Sequence, residues 1–186
     1  MRRVCRTLLL AFMCAGCVHS PLANLKTLNA ELLSHDSATF TLERWCAAQR
    51  LADPAQIRAE RVHDVEKPAT AQQRQRLQVS AAEPLRYRRV RLRCGGYILS
   101  EADNWYVPSR LTPEMNLALD TSDVAFGRAV QALRFKRRTL AAVFLYAPPA
   151  RIPPYVLRHT AVLTLPDGRP ISEVVETYTS AVLERQ

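Results

Sequence analysis

Residues 85 to 94 read Leu-Arg-Tyr-Arg-Arg-Val-Arg-Leu-Arg-Cys, five arginines in one stretch of β-type alternation. In an extended chain Val90, Leu92 and Cys94 share one face, and Tyr87, Arg89, Arg91 and Arg93 share the other. The arginine face reads either as a solvated outer surface or as an anion site, because a planar guanidinium grips a carboxylate with two parallel hydrogen bonds. Near the end of the chain Glu176 falls beside Val174 and Tyr178, whereas Glu173 falls with Val175 and Thr177. A glutamate half-removed from water next to an aromatic ring can give up a proton near neutral pH. An edge-strand glutamate in water fits the same pattern, and Glu173 competes with Glu176 for the role. Other chemistries lack their motifs. There is no glycine-rich phosphate loop, no metal-ligand spacing among His19, His35, His63 and His159, and no Gly-x-Ser-x-Gly turn. No metal and no cofactor are implied.

The elements that must position these groups are legible in outline. Leu25, Leu28, Leu32 and Leu33 recur at helical spacing between Asn24 and Leu33. Asp36 or Ser37 caps a second helix running to about Gln49, with Phe40, Leu42, Trp45 and Cys46 on its buried side. Gln56 to Val65 is read as a strand and Glu66 to Gln75 as a polar loop. Leu85 to Cys94, Gly95-Gly96 and Tyr97 to Val107 form an antiparallel pair around a short turn. Thr112-Pro113-Glu114 starts one helix, and Ser122-Asp123 caps a short helical segment from Val124 to Leu133. Thr139 to Tyr146 is a compact apolar run, hence a buried strand, stopped by Pro148-Pro149. Val156 to Leu165 and Ile171 to Thr179 flank Pro166-Asp167-Gly168, a hairpin signal. Helices first and hairpins afterwards imply an α+β domain with an antiparallel sheet.

The N-terminus begins Met-Arg-Arg, continues through a short apolar run and reaches small residues ahead of Cys17. That is the pattern of a secretory signal, and the run is too short to span a membrane. Residues 1–16 are therefore expected to be a lipoprotein-type signal peptide, with Cys17 lipidated and residues 17–186 forming one domain. The protein is then expected in the cell envelope, anchored to the membrane and facing the periplasm; a start further downstream would make it cytoplasmic instead. Net charge is +9, nearer +6 once Arg2, Arg3 and Arg6 leave. The basic residues form no aromatic-interleaved stripe of the kind nucleic-acid binders show, so a small anion is the expected partner, bound to a monomer. Cys46 and Cys94 allow at most one internal pair, and free buried thiols are the expectation.

From Arg86 onward the order and spacing of several pieces resemble the bacterial chorismate lyases. These are Arg86-Tyr87, Arg89, the strand-ending Cys94, Val107-Pro108, Pro113-Glu114 with Leu117-Ala118-Leu119, and Gly127-Arg128. Leu32-Leu33 before Asp36-Ser37-x-Thr39, and Gly168-Arg169-Pro170 leading to Glu176-Thr177-Tyr178, extend the resemblance over nearly the whole chain beyond Cys17. It implies an antiparallel sheet of about six strands flanked by helices around a sealed cavity. It also implies a cofactor-free carbon–oxygen lyase that eliminates pyruvate from chorismate to leave 4-hydroxybenzoate. Arg89 would then hold the ring carboxylate, Glu176 would serve as acid and base, and Ala38 and Phe126 would contact the substrate. Ala38 replaces the family's Met and Phe126 its Leu. The same fold serves a bacterial regulator family as a binder of small effectors. The runner-up expectation is accordingly an exported lipoprotein that binds an aromatic carboxylate without turning it over.

Overall fold

The computed structural model describes residues 20–185; the expected signal peptide and the lipidation site at Cys17 lie outside them. Helix α1 (Pro21–Ser34) starts where Ser20 Oγ accepts from the Ala23 amide, with Pro21 in its first turn. Its apolar stripe buries Leu25, Leu28 and Leu32, while Leu33, expected on the same face, turns outward. Helix α2 (Ala38–Ala48) has Ser37 as its cap and buries Leu42, Trp45 and Cys46. Strand β1 (Ile57–Arg61) follows, then a short helix, α3 (Ala71–Arg76), where the sequence reading expected a loop. The signal for α3 is a capping box: Thr70 Oγ1 accepts from the Gln73 backbone amide, and Gln73 Oε1 accepts from the Thr70 amide.

Strands β2 (Arg86–Cys94) and β3 (Tyr97–Tyr106) form the expected hairpin around Gly95-Gly96. Gly95 has φ +54°, and a Cβ there would sit 2.7 Å from Ala52 Cβ, so the turn requires glycine. Helix α4 (Pro113–Thr121) is capped by Thr112 as expected. The segment after it is shorter than expected: Ser122 ends α4, and α5 (Phe126–Ala129) follows Ala125, an N-cap without a side-chain hydrogen bond. Strand β4 (Lys136–Phe144) precedes β5 (Tyr155–Thr164) and β6 (Pro170–Thr179).

All six strands form one antiparallel sheet in the order β1-β2-β3-β6-β5-β4, so the expected α+β class and six-strand sheet are present. Strand β4 departs from the expectation of a buried strand: it lies at an outer edge of the sheet, and Val143 and Phe144 are 48% and 41% exposed. Hydropathy reports composition, not whether a strand has one neighbour or two.

One face of the sheet packs against α1 and α2 around Leu28, Leu42, Leu92 and Tyr178. The other is largely open, with α3 placing Leu77 against Trp105 and Val107 at one end. Cys46 of α2 and Cys94 at the end of β2 form a disulfide, against the expectation of free thiols. Their separation of 48 residues carries no sequence signal, but α2 crosses the end of β2 and brings the two Cα atoms to 6.5 Å, inside bridging range.

Candidate functional site

The sheet register decides which charged groups meet. Across neighbouring strands Val90, Ala102, Glu176 and His159 form one row, and Arg88, Asn104, Val174 and Ala161 form the next. Both rows face α2. Between the sheet, the start of α2 and α5 lies a small cavity of about 40 Å³. Arg88, Ala102, Asn104, Arg137, Val174 and Glu176 line its sheet side, and Asp36, Ser37, Ala38, Phe126 and Gly127 line the opposite wall.

Ala38, Phe126 and Glu176 are thus brought together as the resemblance implied, whereas Arg89 is not. Arg89 stands in register with Asp103 and Val175 on the open face. There its Nη2 lies 3.1 Å from Glu101 Oε2 and its Nη1 3.8 Å from Asp103 Oδ1. The residue that enters the cavity is Arg88. A step of one residue reverses the face of a strand, and Arg88 has the parity of Val90, Leu92 and Cys94. That parity was the signal that could have found it.

Arg88 is 3% exposed. Its Nη1 donates to the Val124 carbonyl at 2.9 Å and its Nη2 to the Ser122 carbonyl at 3.2 Å, while its Nε has no partner. No carboxylate pairs with it among the described residues. Burial, and then the nearby Arg61 charge, push its pKa down to about 10, so the guanidinium remains charged at neutral pH.

Glu176, the buried neighbour of Ala102 in the row, receives two hydrogen bonds on the same oxygen. Arg137 Nη2 donates to Oε2 at 2.6 Å and the Tyr178 hydroxyl at 3.0 Å. The Arg137 and Glu176 side chains are 3% and 7% exposed. Burial alone would depress Arg137, but the Glu176 carboxylate overrides it and holds the guanidinium above its usual value. Arg137 follows Lys136 at the start of β4, where nothing in the sequence marks it. Asp36 holds this end of β4 in place: Oδ1 accepts from the Arg137 amide at 3.1 Å and Oδ2 from Lys136 Nζ at 2.9 Å.

Behind Glu176, His159 is fully buried, with Nε2 2.8 Å from Asn29 Oδ1 and its ring edge-on to Tyr178. Desolvation lowers its pKa to about 4, so it is neutral at physiological pH. The competing Glu173 lies outside the cavity, and Arg76 clamps both its oxygens at 2.7 Å. Gly127 closes the wall opposite. A Cβ there would lie 2.7 Å from Ser37 Oγ and 2.9 Å from Thr39 Oγ1, so only glycine lets α5 approach α2 this closely.

Among the described residues no group of acidic, histidine and cysteine side chains is arranged to hold a metal, and no helix is long and apolar enough to cross a membrane. The arrangement can seat an anion at Arg88 and a hydrogen-bond donor at Glu176.

No family model matches the chain. Among solved structures it is similar to PhnF from Mycobacterium smegmatis, at 14% identity and TM-score 0.53, over 78% of this chain and 64% of that one. The chain thus spans just under two thirds of PhnF. Against the effector domain of PhnF alone the TM-score is 0.51 at 15% identity, over 77% of this chain and 88% of that domain. These likenesses show a shared fold, the chorismate lyase-like one. In sequence the chain is 51% identical over 181 residues to the uncharacterized protein y4mC of Sinorhizobium fredii (strain NBRC 101917 / NGR234), covering 88% of this chain and 76% of the relative. The chain belongs to the family of y4mC.

Proposed function

We propose that this domain binds a small aromatic carboxylate in the cavity between the sheet and α2, with Arg88 as the anchor of the carboxylate. The observation that carries this reading is Arg88 itself, a charged side chain almost wholly buried, without an acidic partner and with an unused Nε. Burying an unpaired charge costs several kcal/mol, and a ligand carboxylate offsets that cost. The positive end of the α2 macrodipole, at Ala38 and Thr39 on the opposite wall, adds to the attraction. An aromatic ring needs a cavity on the order of 150 Å³, so the walls must part by moving side chains such as Phe126 and Phe135 when the ligand enters.

A second reading is a chorismate lyase-like enzyme, favoured by the presence of Glu176 in the same cavity as Arg88. Two features weigh against it. Glu176 Oε2 is already engaged by Arg137 and Tyr178, which suits an acceptor and not a proton donor, and chorismate is bulkier than a hydroxybenzoate. We further propose that the protein works in the cell envelope. The Cys46–Cys94 disulfide supports that address, since such bonds persist in oxidising compartments.

Calorimetric titration with 4-hydroxybenzoate tests the binding reading: saturable binding that Arg88→Met weakens by about thirtyfold or more is the expected result, and no binding overturns it. Incubation with chorismate separates the second reading, because hydroxybenzoate released by the protein, and lost in Glu176→Ala, would establish the lyase.

A further inference from the structure

The cavity holds two buried arginines, and their charges are not equivalent. Arg137 is neutralised inside the cavity by Glu176 at 2.6 Å. Asp36, the other acid in the lining, turns its oxygens to the Arg137 amide and to the largely exposed Lys136. Asn104 is uncharged and accepts from Ser172. One charge is left over, that of Arg88.

The two polar groups are also set apart. Arg88 is on β2 and Glu176 on β6, two strands away across β3, so their backbones are separated by roughly 10 Å at the usual strand spacing. Between them the floor is made by Val90, Ala102 and Val174 with one amide, Asn104, whose Oδ1 already accepts from Ser172. The site thus has a cationic end, a mostly apolar middle and an end of no net charge that offers a carboxylate acceptor.

Resting on the binding reading above, we propose that the cavity selects monocarboxylates with an uncharged hydrogen-bonding group at the far end and rejects dicarboxylates. A second carboxylate at that end would meet Glu176, a like charge in a desolvated site, and could reach Arg137 only by breaking its ion pair. A repulsive group built against the wrong partner discriminates without any added contact to the right one. The excluded class contains chorismate, which carries two carboxylates.

Three probes test the proposal by calorimetry: 4-hydroxybenzoate and the shape-matched pair 4-carbamoylbenzoate and terephthalate. The last two differ only in whether the far end is a neutral amide or a carboxylate. The wild-type protein is expected to bind the first two, with terephthalate at least tenfold weaker than 4-carbamoylbenzoate. In Glu176→Gln the freed Arg137 charge should bring terephthalate level with the amide or beyond it. If that variant does not fold, the double variant Arg137→Gln/Glu176→Gln removes the repelling carboxylate together with its partner and should narrow the gap between terephthalate and 4-carbamoylbenzoate; an unchanged tenfold gap overturns the role of Glu176. Equal wild-type affinity for terephthalate and 4-carbamoylbenzoate overturns the selectivity while leaving the binding reading intact. Binding of none of the three overturns both.

Discussion

Strand β2 places arginines on both faces of the sheet, and the two sets meet opposite surroundings. On the open face Arg89, Arg91 and Arg93 are about a third exposed and are interleaved with Glu60, Glu101 and Asp103 at 2.8 to 3.8 Å. On the covered face Arg88 has only carbonyls. Partly solvated pairs contribute little to stability, about 0 to 1 kcal/mol each, whereas a buried unpaired charge is costly. The open-face arginines have acids within reach, whereas on the covered face Glu176 is taken by Arg137 and Arg88 has no paired acid. That contrast is what points to a ligand at Arg88 and to a solubilising surface at Arg89. The two buried glutamates of β6 complete the picture: Glu173 and Glu176 lie on opposite faces, each held by one arginine.

The contrast can be broken or sharpened experimentally. The largest expected effect comes from uncovering the inner face: replacing Cys46 and Cys94 by serine should lower the unfolding free energy by about 4 kcal/mol, read from urea denaturation, because a loop of some 48 residues is no longer closed in the unfolded chain. A loss below 1 kcal/mol would mean that α2 is held by packing alone.

Acid should then weaken the two faces in different pH windows. The folded pKa of His159, about 4, lies below its usual 6.5, so between these values the unfolded chain binds more protons and stability falls as pH falls. The loss should be on the order of 3 kcal/mol and complete near pH 4, and His159→Gln should flatten it. Glu60 on the open face is held below its ordinary value by hydrogen bonds from Arg93 and Arg91. Its contribution is full above pH 4.5 and disappears only at lower pH.

For ligand binding, Arg88→Met should cost roughly 2 kcal/mol or more, a loss of about thirtyfold or greater in affinity. Thermal stability should be unchanged or raised, since the variant removes an uncompensated charge. Arg89→Met makes the smallest change expected, affinity within twofold and stability within about 1 kcal/mol by thermal denaturation. Loss of ligand binding in Arg89→Met but not in Arg88→Met would reverse the assignment of the two faces.

Much of this architecture was legible in the residues. The β2–β3 and β5–β6 hairpins, the caps at Ser37 and Thr112, and the faces of Glu176 and Glu173 all followed from period and turn chemistry. Helix α3 was hidden because every residue after Ala71 is polar and no apolar stripe marks it, although the Thr70 and Gln73 capping pair was present. The resemblance implied Arg89 by its position, and the structure sets it on the open face. Strand parity puts Arg88 with Val90, Leu92 and Cys94 on the covered one.

What the sequence determined alone is local: where the chain turns, which residues alternate, which helix ends are capped, and that a basic strand and a buried-type glutamate lie in one sheet. The tertiary structure decided everything that depends on a partner distant in sequence. It brought Arg137 to Glu176 across 39 residues and Cys46 to Cys94 across 48. It also set β4 at an edge and left Arg88 without an acid. Backbone periodicity acts over a few residues and is encoded in side-chain type, whereas charge compensation depends on which strands become neighbours. That choice is made by the packing of the whole sheet.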